Sequence, residues 1–183
     1  MASTKKEPRS KFYELLQGQV HNEFNASQQY IALAVWFDNA DLPQLAKHFY
    51  KQSVEERNHA MALVQYMLDT DHHVDVPGTG EVRNEFSDPA ELIELALEQE
   101  KEVAADIKTL AKAARAEDDY QGEQFMQWFI SEQVEEISQM STLLTIIKRA
   151  NGNLFEVENF LHRESVGDGG DDATMPPVAG GKL

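Results

Sequence analysis

The chain has 183 residues, no cysteine, and 16 Lys+Arg against 32 Asp+Glu, a formal net charge of −16. The length suits one domain with a sizeable core, and the missing thiols exclude disulfide frameworks, Cys-ligated zinc and thiol catalysis. So acidic a chain repels phosphate backbones and attracts cations, so no nucleic-acid partner is expected.

After an N-terminal arm (residues 1–9), five helical stretches are expected and no strand. Residues 1–10 lack the apolar core of a secretory signal, so the cytoplasm is the expected compartment. The first helix covers about residues 10–37 and ends in the polar stretch Asp38-Asn39-Ala40-Asp41. Its apolar run at residues 30–37 is far too short to span a bilayer, and no membrane partner is expected. Pro43 suits the first turn of a second helix, which continues to about Thr70. Residues 71–88 form an 18-residue link broken by Pro77-Gly78 and Gly80.

The third helix starts at a capping box, Asp88 as N-cap, Pro89 at N1 and Glu91 at N3, and ends near Ala116. The fourth runs from about Tyr120 to Ala150 and stops at Asn151-Gly152. A short fifth helix covers about residues 153–163, opened by Asn153 with Glu156, and residues 164–183 read as a flexible tail. Each long helix would be about 40 Å long. Short links make the first two, and the third and fourth, antiparallel neighbours. The 18-residue link reaches about 60 Å when extended, enough to run the length of the bundle. The fold class is therefore all-α: a four-helix bundle with one long crossover, covering residues 10–163 with the fifth helix.

Each long helix carries an apolar stripe at spacings of three and four, interrupted by carboxylates. The stripes read Leu16, Val20, Glu23, Ser27, Tyr30; Phe49, Gln52, Glu56, His59, Leu63, Tyr66; Leu97, Glu100, Val103; and Phe125, Phe129, Glu132, Glu136, Met140. Glu23, Glu56, Glu100 and Glu136 all fall near mid-helix, so an antiparallel bundle puts them in one layer. Four buried carboxylates without a counter-ion repel one another and each loses solvation. A pair of divalent metals is the simplest neutraliser. Glu56 and His59, one turn apart, can share one metal. Oxygen ligands with one imidazole suit iron or manganese better than zinc or calcium.

With these positions in view, the sequence resembles the ferritin family, and closely the bacterial non-haem ferritins of actinobacterial type, some of which are named bacterioferritins. The matching stretches are His21-Asn22-Glu23-Phe24 with Tyr30, Val54 through Ala60, Glu98-Gln99-Glu100, Phe125 through Phe129, and Glu132 through Glu136. The resemblance implies a ferroxidase centre. Glu23, Glu56 and His59 would form its first iron site with Glu56 bridging, and Glu100 and Glu136 the second with Gln133 beside it. Glu55, Glu132 and Glu135, with Glu136 shared, would form a third iron position. Tyr30 looks like the family tyrosine next to the centre, a one-electron donor or a core Tyr bonded to a carboxylate.

Haem is not expected. Haem-binding relatives carry a second Glu-x-x-His where this chain has Gln139, and a ligating Met where it has Arg57. The resemblance also implies oxidation of Fe2+ to Fe3+ by O2 or H2O2, and ferric storage inside a shell of 24 copies. The fifth helices would meet at fourfold axes, a rival reading being that each folds back on its own bundle. Glu117, Asp118, Asp119 and Glu123 could line threefold channels or form a solvated helix end; Asp71-His72-His73 reads as an exposed loop.

Overall fold

The computed structural model describes residues 10–164 and 174–183. Its elements are α1 (Lys11–Asn39), α2 (Pro43–Asp69), α3 (Pro89–Ala116), α4 (Tyr120–Ala150) and α5 (Leu154–Glu164), with no strand among the described residues. The N-terminal arm, residues 1–9, lies outside the described residues, as do residues 165–173.

Side-chain acceptors start the helices where the sequence places them. Ser10 Oγ accepts the Tyr13 N–H at 3.2 Å, and the Glu117 carboxylate accepts the Lys11 N–H at 2.6 Å. Asp88 caps α3 through the Ala90 N–H, while Glu91 reaches past the cap to the Ser87 N–H. Asp119 caps α4 through the Gly122 N–H at 2.8 Å. Gly122 is required for packing as well, because a Cβ there would run into the Phe12 ring. Leu42, the N-cap of α2, offers no side-chain acceptor. Glu158 of α5 takes that role, accepting from the Gln44 and Leu45 N–H groups at 2.8 and 3.0 Å.

α1 packs along α2, α3 along α4, and α1 against α3. The crossover is strapped to α1 by a row of side chains four residues apart. Gln17 exchanges hydrogen bonds with Asp75 backbone, Gln29 does so with Arg83 backbone, and Asn25 accepts the Gly80 N–H. His21 Nδ1 is 2.8 Å from the Gly78 carbonyl, which can only accept, so Nδ1 carries the proton there and Nε2 accepts from Asn25.

The apolar core falls into two halves. One gathers Tyr30, Leu33, Phe37, Phe49, Ile93 and Met140; the other gathers Phe12, Leu16, Leu63, Met67, Ile107 and Phe129. Between them lies the polar layer.

Two expectations change, at the far ends of the stripes and in the tail, and α5 finds its place on the bundle. On α4 the buried line runs through Met126, Phe129, Gln133 and Glu136, and on α2 it ends on Met67, with Phe125, Glu132 and Tyr66 on the flanks. A repeat of 3.6 residues drifts against steps of three and four over many turns, which moves the far ends of a stripe by one residue. α5 folds back on its own bundle, burying Val157 and Leu161 against α2 and α4 and leaving Phe155 71% exposed. The tail, expected to be free from residue 164, is docked over residues 174–183. The Ala179 N–H reaches the Met61 carbonyl, the Leu183 N–H reaches Asn58 Oδ1, and Met175 and Val178 pack on the second half-core. Glycine and proline content marked it as unlikely to form a regular element, but Met175 and Val178 still gain from burial.

Candidate metal centre

Helix phase brings the stripe carboxylates inward from all four long helices. Glu23, Glu56 and Glu100 are each 1% exposed, Glu136 is 2% and His59 is 3%. One donor atom from each of Glu23, Glu56 and His59 lies within 4.8 Å of the others. His59 Nδ1 is 3.6 Å from Glu56 Oε2, too long for a hydrogen bond and close enough for both to hold one small cation. Trp128 and Phe129 meet the His59 ring edge to face, at 5.5 and 6.0 Å between centroids, and so fix its plane.

The second half of the layer is tied by hydrogen bonds. Tyr30, fully buried, donates its hydroxyl to Glu100 Oε1, and Gln133 Nε2 donates to Glu100 Oε2 at 3.2 Å. Gln19 Nε2 holds Glu23 Oε1 at 2.8 Å. Several oxygens stay unserved: Glu23 Oε2, both oxygens of Glu56, Glu136 Oε2 and Gln133 Oε1 are buried without a hydrogen-bond partner. A buried anionic oxygen left this way is costly, and a cation between the carboxylates removes the cost.

The electrostatics agree. Burial, then the neighbouring Glu56, holds the Glu23 carboxyl well above its ordinary range. Burial followed by Glu100 does the same for Glu56 and Glu136. Burial raises Glu100 up to about 7 against the Tyr30 hydrogen bond, which favours the anion. Without metal the layer keeps protons, and a bound cation displaces them.

The outer residues differ. Glu55, about a third exposed, has its carboxyl raised by burial, while Lys51 and His59 pull it back. Glu132 is half-buried and close enough to raise Glu55 further. Glu135 is exposed and takes the Gln139 amide at 3.4 Å. Two glutamines escaped the sequence reading. Gln19 lies beside the α1 stripe, four residues before Glu23, and Gln52 lies on the α2 stripe but carries no charge. A polar residue one turn before a buried carboxylate was the available signal.

A Ferritin-like domain model matches residues 13–150. The chain belongs to the ferritin family. Membership makes iron storage its function and places it in a family with ferroxidase activity, and Glu23, Glu56 and His59 are a group that could bind the metal. The chain is 55% identical to Ferritin BfrB of Mycobacterium tuberculosis over 177 residues, 96% of this chain and 97% of that one. It is 56% identical to Ferritin BfrB of Mycolicibacterium smegmatis, covering 95% of this chain and 96% of that one. An open pore ferritin from the archaeon Archaeoglobus fulgidus superposes with a TM-score of 0.81 at 24% identity, covering 85% of this chain and 97% of that chain. No helix among the described residues is long and apolar enough to cross a membrane.

Proposed function

We propose that this ferritin oxidises its iron substrate at a two-iron centre in the middle of the bundle. Glu23, Glu56 and His59 hold one Fe2+; Glu100 and Glu136, with Gln133 beside them, hold the second, and Glu56 lies between. The observation that carries the reading is Glu56 itself: 1% exposed, with His59 Nδ1 3.6 Å from Oε2 and no hydrogen-bond donor on either carboxylate oxygen. Glu55, Glu132 and Glu135 form a third, outer iron position.

Iron binding drives off the protons that the buried carboxyls hold, and the resulting anions favour Fe3+ over Fe2+. Two Fe2+ give up one electron each to O2, which takes two protons to become H2O2, or to H2O2, which takes two protons to become water. Removing both electrons at one place avoids release of a one-electron oxygen product. Tyr30, bonded to Glu100, stands ready as a further electron donor.

The ferric product collects as mineral inside a shell of 24 copies in the cytoplasm. The centre works without haem, since Arg57 and Gln139 occupy the positions where a haem-ligating Met and a second metal-binding His would fall. Assembled mass and iron content after Fe2+ loading test this together. A large shell with many irons per subunit and no Soret band is expected; a dimer-sized particle retaining a few irons would refute storage in a shell.

A further inference from the structure

Gln19 is 2% exposed on α1, one turn before Glu23, and its Nε2 donates to Glu23 Oε1 at 2.8 Å. Glu23 Oε2 is buried without a hydrogen-bond partner, so the amide occupies one oxygen and leaves the other to a cation. The amide serves Glu23 only one way round. Turned over, it would set its carbonyl against the carboxylate, acceptor facing acceptor. Asn22 settles the choice: its Nδ2 lies 3.3 Å from Gln19 Oε1 and 3.2 Å from Asp106 Oδ2. Both of those oxygens are acceptors, so Asn22 must present its NH2 group to them. Asp106 is exposed on α3 and, when ionised, can only accept.

Four side chains thus stand in one fixed order from the surface of α3 to the buried layer: Asp106 orients Asn22, Asn22 orients Gln19, and Gln19 orients Glu23. We propose that Gln19 and Asn22 are positioning residues for the first iron site, set by Asp106: the row keeps Glu23 Oε1 on the Gln19 amide and gives Oε2 alone to the metal. The proposal rests on the two-iron reading of Glu23, Glu56 and His59. A hydrogen bond to a ligating carboxylate fixes its orientation and so contributes to metal affinity. Residues of α1 alone would leave the Asn22 amide free to turn, so the meeting of α1 with α3 decides how Glu23 faces iron.

Anaerobic titration of the assembled full chain with Co2+ alone, followed by visible absorption and calorimetry, tests the row. The wild type should show a tight class of site that is lost in His59→Ala. Gln19→Leu should weaken that class by about 10- to 100-fold and change its visible band. Asp106→Asn keeps an acceptor for Asn22 and should bind as the wild type does. The exchange Asn22→Asp with Asp106→Asn keeps the net charge and a hydrogen bond between α1 and α3, but sets an acceptor against Gln19 Oε1. It should weaken the tight class by about tenfold or more. Charge alone predicts the reverse, because the exchange brings a carboxylate nearer the cation. An exchange variant that binds as tightly as Asp106→Asn, or more tightly, would overturn the proposal, and so would wild-type binding in Gln19→Leu. Should Gln19→Leu fail to assemble, the exchange decides by itself. A wild type without any His59-dependent class refutes the two-iron reading, a separate result.

Discussion

Two groups of acidic residues in this bundle have the same chemistry and opposite surroundings. At the turn between α3 and α4, Glu117 caps α1, Asp119 caps α4 and Glu123 pairs with Arg115, each in contact with water or nearly so. At mid-bundle, Glu23, Glu56 and Glu136 are buried and keep oxygens that no protein group serves. Protein donors serve Glu117, Asp119 and Glu123 at the corner, where they stabilise helix ends. The centre is unfinished as protein. Acidic composition therefore does not locate the metal site; burial without partners does.

Removing a central carboxylate should separate the two groups most widely. Glu56→Ala is expected to slow rapid Fe2+ oxidation by about 100-fold or more while gel filtration shows the assembled particle unchanged. Oxidation at the wild-type rate in that variant would sink the site assignment.

The pH dependence of the metal-free protein gives a smaller effect with a definite sign. Glu100 is held at about 7, against 4.5 for an ordinary carboxyl, and Glu23, Glu56 and Glu136 are raised too. Their protonated forms favour the folded state, a contribution fully present below about pH 4.5 and lost as the pH rises through 7 and beyond. The thermal midpoint of metal-free protein should therefore fall between pH 5 and pH 8. Co2+ at about 100 times its dissociation constant should restore about 2.7 kcal/mol at pH 8. A midpoint that rises over this range, with no response to Co2+, would mean the layer is not a strained anionic site.

The corner should respond least. Glu117→Ala is expected to cost about 0.5–1 kcal/mol by uncapping α1, read by chemical denaturation, with the oxidation rate unchanged. Glu123→Gln should leave both readings unchanged, because its ion pair with Arg115 is exposed. A several-fold slower oxidation in Glu123→Gln would blur the contrast and give the corner a part in gathering Fe2+.

Much of this was legible beforehand, for reasons particular to each residue. Pro43, Asp88 with Pro89, and Asn151-Gly152 fix helix ends through local geometry, so α2, α3 and α4 begin or end where they were expected. Glu23, Glu56, Glu100 and Glu136 were legible as a layer because a charge in an apolar stripe is a local contradiction. Gln19 and Gln52 were not, since a neutral amide contradicts nothing until its partners are known.

The sequence by itself determined helix length and the depth of Glu23, Glu56, Glu100 and Glu136, because these depend on residues three and four apart. Only the tertiary structure decided what required distant segments to meet. Glu158 of α5 caps α2 across more than a hundred residues, Tyr30 and Gln133 close on Glu100 from two other helices, and residues 174–183 lie down along α2. Those contacts depend on where the whole bundle places its surfaces, which no local spacing encodes.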